Sequence, residues 1–189
     1  MQVDYGKAFD DSYMSSQTHI LDHAPPLLDK LARPLRNLRL SVTDRCNLRC
    51  KYCMPEKHYT WLERKELLTF EELTLLTQEF MALGVEQVRL TGGEPLLRRN
   101  LPELVSALTA LPKRPQLAMT TNGIHLPAHA LALRSAGLNR VTISLDTLSE
   151  VRFHSLTGRS DFKACLNGIE KAAEAEFDSL KLNMVVIRG

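Results

Sequence analysis

Three of the four cysteines of this chain fall within eight residues, Cys46, Cys50 and Cys53. They lie in the run Thr43-Asp44-Arg45-Cys46-Asn47-Leu48-Arg49-Cys50-Lys51-Tyr52-Cys53-Met54-Pro55, with the spacing C-x3-C-x2-C. Thiolates are soft ligands that select zinc, copper(I) or iron–sulfur clusters. The count of three matters. A closed structural zinc site takes four ligands, whereas three thiolates on a cluster of four irons leave one iron open to bind something else. The plainer alternative is a zinc knuckle completed by a distant ligand, Cys165 or His58. Cys165 has a more ordinary place on the apolar side of a helical segment, where a free cysteine behaves as a small hydrophobe.

Further polar residues stand where apolar runs end. Arg89-Leu90-Thr91-Gly92-Gly93-Glu94-Pro95-Leu96 pairs two glycines, which permit positive φ and close backbone approach, with a proline that fixes the direction of the loop. Met119-Thr120-Thr121-Asn122-Gly123 offers hydroxyls and an amide, although on composition alone it is a turn. Val141-Thr142-Ile143-Ser144-Leu145-Asp146 places a serine in an apolar strand, where a satisfied core hydroxyl is the alternative. Lys30, Arg33, Arg36, Arg39, Arg45, Arg49 and Lys51 face only Asp44 in that stretch. Such a run is usually a solvated surface, yet beside a catalytic loop it suits phosphate, which Arg binds by charge-assisted, often bidentate hydrogen bonds. His125 and His129, four apart, lack a third partner and are read as surface residues.

These residues need a scaffold, and the composition supplies an ordinary one. The chain has 189 residues, 44% hydrophobic and 24% charged, with 9 Gly and 9 Pro, which excludes collagen-like, low-complexity and wholly disordered classes. A net charge of +2 announces neither nucleic acid nor membrane. Clustered cysteines argue against a disulfide scaffold, and no signal segment or apolar run of about 20 residues is present, so a reducing, cytoplasmic setting is expected.

Residues 1 to 35 read as a polar, partly disordered leader and 36 to 189 as the core. Strands are expected at Leu38–Val42, Gln87–Leu90, Gln116–Met119, Arg140–Leu145 and Leu180–Ile187. Between them, Thr69 with Glu72 forms a capping box before a helix with Leu73, Leu76, Phe80 and Leu83 on one face, and Gly84 ends it. Asn100 with Glu103 caps a second, with Pro102 in its first turn. A third runs from near Pro127 to Gly137, and a fourth follows Asp161 with Phe162, Cys165, Leu166, Ile169 and Ala173 at helical spacing. This alternation predicts an α/β protein, either open and doubly wound or a (β/α) barrel. Both architectures put chemistry in the loops after the strands' C-terminal ends, where the motifs lie.

The cysteine loop, taken with the three later segments in order, resembles the radical S-adenosylmethionine superfamily, and within it the GTP-cyclising branch of molybdenum cofactor biosynthesis. The resemblance covers roughly residues 33 to 189 and implies a partial (β/α) barrel. It implies a [4Fe-4S] cluster on Cys46, Cys50 and Cys53, S-adenosyl-L-methionine at Tyr52, Gly93 and Ser144, and GTP at Arg39, Arg89, Thr120 and Lys181. Reduction of the cluster by an external electron donor would yield a 5′-deoxyadenosyl radical that takes the ribose 3′ hydrogen of GTP. Neither nucleic acid nor membrane is an expected partner, and a homodimer is compatible with this reading. The family continues through a sixth strand and a segment with a second three-cysteine cluster, so the chain is expected to be an N-terminal part, cut after about five strands and lacking that cluster. Another radical S-adenosylmethionine enzyme, such as a peptide or sulfatase maturase, would share the cysteine loop without binding GTP. A non-catalytic metal-binding module is the reading from another class.

Overall fold

The computed structural model describes residues 27–56 and 58–186. Five strands alternate with helices: β1 Asn37–Ser41, α1 Phe70–Ala82, β2 Gln87–Thr91, α2 Leu101–Thr109, β3 Gln116–Thr121, α3 Leu126–Ala136, β4 Arg140–Ser144, then α4 Glu150–Thr157 and α5 Phe162–Glu174 before β5 Ser179–Asn183. All neighbouring pairs are parallel, and the sheet order is β1-β2-β3-β4-β5. A doubly wound sheet reverses its strand order at a switch point. Here the order runs on without reversal, which is barrel topology, and the alternative that periodicity left open is settled as a partial barrel.

The two faces of the sheet differ sharply. Leu40, Val88, Leu90, Leu117, Met119, Val141 and Ile143 are buried in the core with Leu101, Leu104, Leu108, Leu126 and Leu133 from α2 and α3. The alternate positions, Arg39, Ser41, Arg89, Thr91, Thr120, Thr142, Ser144 and Lys181, are half-buried or exposed and form a polar concave face. Because side chains alternate along a strand, one register puts the core residues of β1 to β4 against the helices and these polar groups inside, whereas Leu182 on the edge strand β5 stays exposed.

Several local expectations are met with their stated physics. Thr69 accepts a hydrogen bond from Glu72 N while Glu72 accepts from Thr69 N, the reciprocal capping box. Gly84 (φ 110°) follows the end of α1, and Gly137 (φ 102°) caps α3. Others need correction. Asn100 makes no side-chain cap; it adopts the left-handed conformation (φ 59°) that asparagine tolerates, and only its carbonyl accepts from Glu103 N. Helix α1 buries Leu73 and Thr77 and leaves Leu76 and Leu83 more than a third exposed, because it covers the outer part of the sheet. In α5 the buried row is Phe162, Cys165, Gly168, Ala172, with Ala173 turned to solvent. Helix α4 was not expected: Ser149 caps it, but its buried face, Phe153 and Thr157, is too weakly apolar to read as a stripe. Strand β5 ends at Asn183, short of the expected Ile187, which itself lies outside the described residues. Most of the expected leader also lies outside them; residues 27–35 form a turn in which the Asp29 carboxylate accepts from Leu31 N and Arg33 N and pairs with Arg33.

Helix α5 packs on the loop after β3 with no room to spare. A Cβ on Gly168 would meet the carbonyl group of Gly123, 2.8 Å from its carbon. Inside a helix, Gly→Ala ordinarily stabilises by about 0.5–1 kcal/mol. Overpacking against backbone costs about 1–3 kcal/mol, so the steric effect wins. Gly168→Ala is expected to lower the urea midpoint; a raised midpoint would refute this packing.

Candidate functional site

The cysteine loop is held by backbone. Beyond the formal end of β1 the parallel pairing continues: Val42 N donates to Thr91 O (3.0 Å), Gly93 N to Thr43 O (2.8 Å) and Glu94 N to Arg45 O (2.8 Å). A Cβ on Gly93 would fall 2.5 Å from the Arg45 carbonyl carbon, and one on Gly92 (φ 150°) would overlap Thr43. The paired glycines therefore let the second loop lie directly against the first. Across the loop, Arg49 N donates to Thr157 O (2.8 Å) and Lys51 N to Leu156 O (3.0 Å), tying it to the C-terminal turn of α4. The Arg49 guanidinium closes the C-x3-C segment, donating to the carbonyls of Cys46 and Leu48 (2.7 Å each) while lying over the stacked rings of Tyr59 and Trp61.

The three thiols line one shared hollow. A cavity of about 200 Å³ is bounded by Cys46, Cys50, Cys53, Tyr52, Gly93, Thr120 and Ser144, together with Glu94, Asn122 and Asp146. The three cysteines also border an adjoining cavity of about 290 Å³ beside Asp44 and Gly92. All three are free. Burial pushes the Cys46 thiol up, and Cys50 up to about 11, with the neighbouring sulfurs adding to both. Thiols crowded in this way lose their protons readily only to a metal. No three His, Cys, Asp or Glu side chains among the described residues converge on a point fit for a single ion. Cysteines spread around a hollow suit a cluster that takes each thiolate on a separate iron. Cys165, one candidate fourth ligand of a zinc knuckle, is instead buried on α5 and donates its S–H to Asn122 O (3.0 Å), and the other, His58, lines neither cavity that the cysteines border.

The structure thus gathers the cysteines, Tyr52, Gly93, Ser144 and Thr120 around one cavity. Arg39, Arg89 and Lys181 do not line it; they lie on the concave face below. Thr120 joins the two regions, since its hydroxyl, with that of Thr142, accepts from Arg89 Nη1 at 3.2 Å. Tyr52 reaches across to β4, its hydroxyl donating to Asp146 Oδ2 (2.5 Å), while Asp146 Oδ1 accepts from Val185 N (2.8 Å). Burial, and then this hydrogen bond to a carboxylate, raise the Tyr52 pKa. His125 and His129 do not line the cavity and are half-buried rather than fully exposed, with burial lowering the His129 pKa.

Glu94 escaped notice in the sequence. It is 1% exposed, and its carboxylate accepts from Thr121 Oγ1 (2.7 Å), Asn122 N (2.8 Å) and Leu96 N (3.1 Å). Burial pushes its pKa up, and the three donors pull it partly back. The available signal was an acid directly following paired glycines at a strand end. Asn122 and Asp146, each in a motif already singled out, were missed because only folding brings strand ends together.

An incomplete parallel barrel with three cysteines after its first strand and a polar pocket at the strand ends defines a class. The Radical SAM superfamily model matches residues 40–189, and the chain belongs to that superfamily. Its curated relatives include GTP cyclases: it is 52% identical to the GTP 3′,8-cyclase of Acidothermus cellulolyticus over 87% of this chain and 47% of the relative, and 44% identical to GTP 3′,8-cyclase 3 of Mycobacterium tuberculosis over 92% and 47%. The chain spans about half the length of these relatives. Among solved structures, HydG, a maturase of the [FeFe]-hydrogenase, superposes with a TM-score of 0.64 at 15% identity over 79% of this chain and 34% of its own. The anSMEcpe structure with bound AdoMet gives 0.62 at 17% identity, over 80% and 42%. A [4Fe-4S] cluster and S-adenosylmethionine are the cofactors that membership of this superfamily brings. No helix among the described residues is long and apolar enough to cross a membrane.

Two measurements check this geometry. Gly93→Ala should displace the cysteine loop and lower iron retained after reconstitution several-fold, with the far-ultraviolet circular dichroism unchanged. For Glu94 the folded pKa lies above the ordinary 4.5, so its contribution to stability is complete below that value and is lost as pH rises through the folded pKa. The stability of the natural chain relative to Glu94→Gln, followed by urea unfolding, should therefore fall as pH rises from 4.5 toward neutrality.

Proposed function

We propose that this chain forms the cofactor-binding half of an enzyme that converts GTP to 3′,8-cyclo-7,8-dihydro-GTP, in molybdenum cofactor biosynthesis. The observation that carries the reading is the junction at Thr120. There a thiol-lined cavity meets a concave strand face that bears Arg39, Arg89 and Lys181 and no carboxylate. The curated relatives support it.

Cys46, Cys50 and Cys53 would hold the [4Fe-4S] cluster, and Tyr52, Gly93 and Ser144 would border S-adenosylmethionine. With an external electron donor, these cofactors supply hydrogen-atom abstraction from an unactivated sugar carbon, which lies beyond acid–base side chains. The chain's own residues do the rest. Glu94 gives the cavity wall a carboxylate suited to an amino group, already oriented by its three donors. Leu48, Leu145, Phe153 and Leu156 make the remaining wall apolar and keep water from the reacting carbon. Arg39, Arg89 and Lys181 bind the triphosphate, and Thr120 and Thr142 hold the Arg89 guanidinium in place before substrate arrives. The nucleoside end then lies toward the thiols and the phosphates toward the strands' N-terminal ends.

Anaerobic reconstitution tests the reading. About four iron and four sulfide per chain are expected, with loading lost in Cys46→Ala. After reduction with dithionite, S-adenosylmethionine should alter the electron paramagnetic resonance spectrum, and GTP should raise 5′-deoxyadenosine formation. One zinc and no sulfide would leave a metal-binding module. A cluster whose 5′-deoxyadenosine yield ignores GTP would favour the maturase alternative.

A further inference from the structure

The five strands carry four charged side chains, Arg39, Arg89, Arg140 and Lys181; all are cations and all take the concave register. We infer that Arg140 is a fourth cation of the triphosphate-binding face and that it contacts the terminal phosphate, a role that rests on the GTP reading above.

Strand register sets its level. Arg39 pairs with Arg89, Arg89 with Ala118, Ala118 with Arg140, and Arg140 with Ser179, so the three arginines form one row across the sheet. At about 4.8 Å per strand, the Cα atoms of Arg89 and Arg140 stand roughly 10 Å apart, a gap two long side chains can close on a shared anion. Only the small side chains of Ala118 and Ser179 flank Arg140 in the row, which leaves its guanidinium free to swing. Lys181 sits one level nearer the cavity, beside Thr142.

The four cations differ in how they are held. Arg89 is fixed by Thr120 and Thr142. Arg140 is exposed and makes no hydrogen bond or ion pair among the described residues. Its acidic neighbour Asp178 feels the Arg140 charge without bonding to it and is already engaged by Arg134 (2.9 Å) and Asn139 (3.0 Å). A row of like charges on one face, with no acid on any strand and only Asp178 beside its end, repels itself unless a polyanion covers it. Guanidinium suits that polyanion because its planar fork binds two phosphate oxygens at once.

Depth assigns the phosphate. The arginine row lies two residues before the level of Ser41, Thr91 and Thr142, on the side away from the thiols. A nucleotide whose ribose reaches the cavity puts its last phosphate deepest, at this row. The plainer reading, a solvated rim arginine, predicts no dependence on phosphate number.

Isothermal titration of the reconstituted chain with GTP, GDP and inorganic tripolyphosphate separates the cases. Arg140→Gln should weaken GTP and tripolyphosphate on the order of tenfold, the size of one lost charge-assisted hydrogen bond, and GDP by less than about threefold. Arg140→Lys should recover part of the loss, since a point charge replaces the fork. Equal losses for GTP and GDP, or none for either, would overturn the inference; if Arg89→Gln still weakened GTP, the function proposed above would stand. A natural chain that binds neither GTP nor tripolyphosphate would overturn both.

Discussion

The site depends on backbone contact between two loops. The parallel ladder of β1 and β2 does not stop where the strands end but runs on through Thr43 and Arg45, each of whose carbonyls accepts from the segment Gly93-Glu94. This extension turns a flexible cysteine-rich loop into a continuation of the sheet. It sets the position of Cys46 relative to β2, and by carrying Glu94 inward it sets the carboxylate that organises Thr121 and Asn122 at the end of β3. A side chain at either glycine would separate the loops, so close approach rather than flexibility is what the glycines supply.

A second constraint works from the other side. Helix α4 receives the backbone of Arg49 and Lys51 on its last turn, and Asn47 is gripped by Asn122 Nδ2 (2.7 Å) and Arg159 Nε (3.0 Å). The cysteine loop is therefore braced by β2, β3 and the α4 end together. Tyr52 and Asp146 add a polar strap from that loop to β4 and on to Val185. Thiols held so are preorganised for a large polynuclear ligand, because these contacts reduce the loop ordering that would oppose binding.

The sheet divides labour by parity. One set of alternate residues packs helices and supplies cohesion, and the other faces inward with hydroxyls and cations. Along β2, Val88 and Leu90 are fully buried while Arg89 between them meets Thr120 and Thr142. A single-residue slip would bury the guanidinium among leucines and expose the leucines, so the same hydrophobic pattern that stabilises the fold also protects the orientation of the binding face.

Much of this was legible in the chain itself. Cysteine spacing, the paired glycines, the strand-end motifs and the Thr69 capping box are local, and their physics acts over a few residues. Helix α4 was not legible, since its one weakly apolar face buries only Phe153 and Thr157. Nor was the missing side-chain cap at Asn100, decided by its left-handed backbone, nor Glu94, whose importance lies in partners 27 and 28 residues away. The amino-acid sequence by itself determined which chemistry the chain carries, because thiolate softness, guanidinium charge and strand alternation are properties of residue type and spacing. Only the tertiary structure decided that the strands follow in unbroken order, that the thiols share a hollow with Ser144 and Thr120, and that every strand cation faces inward. Those outcomes depend on register and crossover geometry between segments distant in sequence, which no local spacing encodes.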